Sequence, residues 1–196
     1  MMTQARKWPS FFRRGNRVST PTVLQMESME CGAAVLGIVL GYYRRYVPLE
    51  ELRIACGVSR DGVKISSILH AAAGYGLNGS GLQVTAEEVL KLPPPFIAYW
   101  DENHFVVVEG TSGSSVYIND PAYGRRSISR KEFEQSFSGV VLRLEPGPNF
   151  KPGGRRGRLL PTLYHWTAGS RPALAMIAAV TLLLVVPNIL LPAFLK

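Results

Sequence analysis

The chain has 196 residues, is 46% hydrophobic and carries a formal net charge of +8, enough for one ordinary domain with additional segments. The charge is uneven: residues 1–20 hold five Lys/Arg and no acid, residues 151–196 hold six and no acid, and residues 21–150 hold the other 11 against all 14 acids, net −3. Basic flanks around an acidic block argue against a nucleic-acid partner, which calls for a basic stripe on the folded domain itself, and two cysteines without an apolar signal peptide argue against a secreted disulfide scaffold.

In chain order, residues 1–20 read as a basic tail and 21–147 as the folded domain. Residues 31–46 carry an apolar helical face at Val35, Ile38, Val39 and Tyr42. PLEELRIACG reads as a second helix ending at Gly57, and VKISSILHAAAGYG as a third, stopped by Gly74 and Gly76. VTAEEVLKL is a short fourth helix, because Thr85 and Glu88 have the spacing of a capping box. Strands follow at PFIAYW, HFVVVEG, SVYIND and GVVLRL, with SRKEFEQSF as a short helix before the last. Helices first and an antiparallel sheet afterwards is an α+β pattern.

Residues 148–171 read as a basic linker: EPGPNFKPGGRRGR is dense in Pro, Gly and Arg, and LLPTLYHW suits an interfacial helix with aromatic anchors. Residues 173–195 hold no charged residue in 23 positions, the length of a membrane-spanning helix. The expectation is that 172–196 begin a membrane domain. Arg171 and the RRGR run upstream put the preceding domain on the cytoplasmic side, where thiols stay reduced.

Cys31 falls where the polar stretch QMESME gives way to the first helix. A helix N-terminus favours negative charge, and a nucleophilic thiol needs a base. Of three histidines, His70 lies inside the third helix and His165 in the linker, whereas His104 stands where a turn gives way to a strand. Asp120 ends the next strand, before Pro121. If 104–109 and 115–120 pair antiparallel, the start of one meets the end of the other, and Asp120 can orient His104. Gln25 stands six residues before Cys31, and an acid, Glu30, directly before it. A Gln amide beside the Cys31 backbone N–H can hold an oxyanion. Cys56 ends the second helix with no histidine motif around it and reads as core.

QMESMECG, NHFVVVEG and YINDPAYG, in that order, resemble the peptidase domain of bacteriocin-processing ABC transporters. PLEELRIACGVSRDG and FSGVVLRLEPGPNF look most like the branch whose substrates have nitrile-hydratase-type leaders. The resemblance implies a papain-like cysteine peptidase that cleaves a leader peptide after a double-glycine-type site. Cys31 would be nucleophile, His104 base and then acid, Asp120 the orienting group, and Gln25 part of the oxyanion hole. It also implies export across a bacterial plasma membrane by a homodimeric transporter, with the leader docked as an amphipathic helix.

Other readings are weaker. Without CxxC or HxxxH, a zinc site is not expected. A leader-binding domain that does not cleave would be expected to lack the nucleophile or base. There is neither GxxxxGK[ST] nor a second apolar span. ATP and Mg are therefore expected only in a separate nucleotide-binding part, and no cofactor in this chain.

Overall fold

The computed structural model describes residues 17–155 and 169–194, with side chains in the last helix described for 172–185. Residues 17–155 belong to one compact unit. Helices α1 (Cys31–Tyr42), α2 (Leu49–Ala55) and α3 (Ile65–Gly74) come first. Strand β1 (Leu77–Gln83) and helix α4 (Ala86–Val89) follow, then β2 (Phe96–Trp100), β3 (His104–Ser112), β4 (Ser115–Asp120), β5 (Gly124–Ser129), α5 (Arg130–Ser136) and β6 (Phe137–Pro146). The strands form one antiparallel sheet in the order β1-β6-β2-β3-β4-β5. The expected α+β layout is present.

The sheet is buried on both faces, which is why its inner strands read as continuous apolar runs. Side chains alternate across a strand. Ile97, Phe105, Val107, Leu142 and Leu144 join the core of α1, α2 and α3. Their neighbours Phe96, Ala98, Trp100, Val106 and Val108 join Val89 of α4 and Phe133 of α5.

Helix α1 is not amphipathic. Every residue from Cys31 to Gly41 is buried, beyond the single face expected. Its glycines make room: a Cβ on Gly37 would lie 2.9 Å from Leu52 of α2, and one on Gly32 2.9 Å from Val63 Cβ. The helix stops at Tyr42, short of the expected residue 46, and Arg44 takes a positive φ of 64°. The Thr85–Glu88 capping box forms as expected, with Glu88 N donating to Thr85 Oγ1 at 3.3 Å and Thr85 N to Glu88 Oε2 at 3.0 Å.

Two strands were not foreseen. LNGSGLQ lacks apolar alternation, yet forms β1 because Gly79 lets Leu69 of α3 and Leu144 of β6 close over the backbone; a Cβ there would lie 2.8 Å from each. GRRSIS forms the edge strand β5 with only Ile128 buried.

The packed unit also runs past 21–147 at both ends. Glu109, at the β3 bulge, is 1% exposed. Its carboxylate accepts from Thr20 N at 2.7 Å and Thr20 Oγ1 at 2.8 Å, with Arg125 Nε 3.1 Å away. Val18 N donates to the Glu109 carbonyl, so residues 17–20 lie along the sheet. At the other end Phe150 is buried against the Tyr43 ring, and Gly153 exchanges backbone hydrogen bonds with Tyr46 and Arg44. The segment assigned to a linker from residue 148 is therefore part of the domain up to Arg155.

In the second unit, α6 (Arg171–Phe194) starts just before the apolar run and covers most of it, with Leu174, Met176, Ile177, Leu182 and Leu183 exposed. Among the described residues, no helix is long and apolar enough to cross a membrane. The basic tail 1–16, LLPTLYHW and His165 lie outside the described residues.

Candidate active site

Cys31, His104 and Asp120 each occupy the end of an element. A 3-10 turn, Ser28–Glu30, leads into α1, and Cys31 is the helix's first residue, 4% exposed. His104 opens β3. The turn before it, Trp100 to Asn103, has positive φ at Asp101 (46°) and Glu102 (59°), with Asn103 N donating to Trp100 O at 3.2 Å. Positive φ at both central positions marks a primed hairpin turn, usually built with Gly or Asn. Here Ser136 and Ser138 hold it from α5 and β6: Asp101 N donates to Ser136 O and Glu102 N to Ser138 Oγ, each at 2.8 Å.

Asp120 ends β4, fully buried. Its Oδ1 lies 2.8 Å from His104 Nε2 and also accepts Ala122 N at 2.8 Å, while Oδ2 meets Arg126 Nη2 at 3.0 Å. Burial opposes ionisation, but these partners outweigh it and hold the Asp120 carboxyl below its ordinary range. Cys31 lies near enough to His104 to favour its charged form, alongside Asp120. With Nε2 on Asp120, Nδ1 is left for the thiol. Burial disfavours a charged imidazole, yet Asp120 and Cys31 overcome it and push His104 up to about 9. A protonated imidazole thus faces the sulfur that must carry negative charge when it attacks.

Gln25 lines the same cleft of about 540 Å3 as Cys31, His104 and Asp120, with Trp100 and Val63 also on its walls. Gln25 Oε1 is buried, and among the described residues nothing hydrogen-bonds it. Buried amides seldom go unpartnered, and which end of a Gln amide is oxygen is an assignment. This side chain can offer an N–H to an oxygen arriving in the cleft. The Gln25 backbone is fixed, since its N–H donates to Pro121 O at 2.9 Å, directly after Asp120.

All four residues singled out from the sequence therefore come together. Cys56 is 1% exposed, and burial pushes its thiol up to about 11. His70 is exposed on α3. Arg126 went unforeseen because β5 carries no apolar alternation. The signal available was its place two residues after DPAYG, where the hairpin sets it opposite Ile118, within reach of Asp120. Among the described residues, no group of three His, Cys, Asp or Glu could hold a metal.

The colicin V secretion/processing ATP-binding protein CvaB of Escherichia coli is 31% identical over 173 residues, covering 88% of this chain and 25% of its own. The transport/processing ATP-binding protein ComA of Streptococcus pneumoniae is 30% identical, covering 84% and 24%. The chain thus spans about a quarter of these curated relatives. A double glycine motif protease from an AMS/PCAT transporter, solved with the leader peptide, is 47% identical with a TM-score of 0.66, covering 68% of this chain and 95% of that one. The ComA peptidase domain of Streptococcus, 24% identical with a TM-score of 0.60, shares the fold. The peptidase C39 family model matches residues 19–149, nearly the whole compact unit that carries the cleft, and the chain belongs to that family of cysteine peptidases.

Proposed function

We propose that this domain cleaves the leader of a precursor peptide after a double-glycine-type site, at the cytoplasmic face of a bacterial plasma membrane, within a homodimeric ABC exporter. The observation that carries the chemistry is His104 hydrogen-bonded to Asp120 in a cleft that Cys31 and Gln25 also line. The substrate class rests on the relative crystallised with its leader peptide and named for the double glycine motif. The exporter context rests on the secretion/processing relatives, and a membrane segment from residue 172 on the uncharged run 173–195. ATP and Mg belong to a separate nucleotide-binding part; the peptidase step uses this chain's own side chains.

In the first half-reaction Cys31 Sγ, its proton taken by His104, attacks the carbonyl carbon of the second small residue. The carbonyl oxygen becomes an oxyanion held by the Gln25 side-chain amide and the Cys31 backbone N–H. The C–N bond then breaks, and His104 gives its proton to the leaving amine. In the second half-reaction water attacks the thioester. His104 takes the water's proton, the C–S bond breaks and the leader leaves as a carboxylic acid. Asp120 keeps the imidazole aligned throughout.

The test is incubation of the 196-residue chain with synthetic precursors ending their leader in Gly-Gly, reading the products by mass. Cleavage after the second glycine that vanishes in Cys31→Ala is expected. Intact precursors, or cleavage that survives Cys31→Ala, would overturn the reading.

A further inference from the structure

Glu30 is fully buried one residue before Cys31 and takes no direct part in the proposed reaction. Its Oε2 accepts the backbone N–H of Met26 at 2.8 Å and of Glu27 at 3.2 Å, the two residues after Gln25. Its Oε1 lies 2.9 Å from Arg53 Nε of α2, an ion pair without an aligned hydrogen bond. On its other side, Gln25 N is held by Pro121 O. The Gln25 loop is therefore gripped by the chain neighbours of two reactive residues: Pro121, after Asp120, and Glu30, before Cys31.

A buried carboxylate is costly unless bonded. A neutral group was available at this position, since Gln serves equally as the reach-back residue of a capping box. What a carboxylate adds is two charge-assisted bonds from one rigid group, with Arg53 fixing its far oxygen. We propose that Glu30 is a positioning residue for the oxyanion hole, acting through the Gln25 loop rather than through the thiol. This rests on the role given to Gln25 above. Displacement of a catalytic donor by about an ångström costs on the order of a hundredfold in rate. Loss of Glu30 should approach that cost without touching the Cys31–His104 pair.

The experiment separates a reaction that builds an oxyanion from one that does not. Cleavage of a synthetic amphipathic-helix peptide ending in Gly-Gly-aminomethylcoumarin needs the hole; alkylation of Cys31 by iodoacetamide, a displacement at carbon, does not. In the 196-residue chain in detergent, Glu30→Gln should lose roughly tenfold to a hundredfold in kcat at similar KM. Its Cys31 alkylation should stay within about twofold of the unsubstituted chain. Adding Gln25→Ala should cost little more, because both changes remove one device. Arg53→Met, on a half-exposed side chain, should show a smaller loss of the same kind. Parallel losses of cleavage and alkylation in both variants, or losses from Glu30→Gln and Gln25→Ala that multiply, would overturn the proposal. If Gln25→Ala alone cleaves normally, the oxyanion role itself fails, and the proposal with it.

Discussion

His104 Nε2 and Asp120 Oδ1 lie 2.8 Å apart although the two residues stand at opposite termini of their strands, His104 first in β3 and Asp120 last in β4. Antiparallel pairing makes those termini neighbours. The pH dependence of the enzyme follows from this pair. His104 holds its proton up to about 9, so kcat/KM should fall above about pH 9 as the imidazolium is lost. Asp120→Asn removes the stabilising charge and should draw that alkaline limb down toward the ordinary histidine value of about 6.5. The contribution of the ion pair to stability has the same sense. It is fully present below about pH 6.5, where His is charged even when unfolded, and lost as pH rises through about 9. A pH–rate profile of the two forms checks the first statement, and urea melts at pH 6 and pH 10 the second.

The two cysteines should behave oppositely. Cys31→Ala should abolish cleavage, while Cys56→Ala should keep most of it. Cys56 is packed in the core with Leu52 and Ile68, so its loss should cost stability, about 1–2 kcal/mol. Iodoacetamide near neutral pH should label Cys31 alone, because burial keeps the Cys56 thiol protonated up to about 11. Peptide mapping after brief labelling reads both sites.

Glu109 ties residues 17–20 to the sheet through Thr20, Arg125 and the more distant Arg17. Removing one partner of a buried ion pair costs about 3–5 kcal/mol. Arg125 is 42% exposed and keeps water as a substitute. Glu109→Ala should therefore destabilise by about 2–3 kcal/mol, as measured by denaturant melts.

Residues 148–155 belong to the folded unit. A chain ended at Arg155 should fold and cleave. One ended at Gly147 loses the buried Phe150 ring and the Gly153 hydrogen bonds to Arg44 and Tyr46. The ring alone is worth about 1.5–3 kcal/mol. Thermal melts of the two truncations should separate clearly; equal midpoints would return the domain's end to 147.

The reactive residues were legible because each is marked by a local transition: polar to helical at Cys31, turn to strand at His104, strand to proline at Asp120. The strands β2, β3 and β4 were legible because they are apolar. β1 and β5 were not, because their places depend on partners distant in sequence: Leu69 and Leu144 close over Gly79, and β5 pairs along an edge with one buried apolar residue. Arg126 was hidden with β5. The burial of α1 on all sides also escaped a reading by periodicity, since a helix surrounded on every side has no polar stripe to reveal. The grip of Glu109 on Thr20 spans 89 positions, and no local pattern announces it.

The last strand made, β6, lies between β1 and β2 rather than at an edge. Until the chain has passed Pro146, β1 has no hydrogen-bonded neighbour and β2 lacks one of its two. Such long-range pairing must close large loops before contacts reward it, which slows folding. Cys31, His104 and Asp120 all leave the ribosome earlier, while the core that aligns them is unsealed. The order of synthesis thus leaves the sheet open at its middle until its final wedge, an interior strand, is in place.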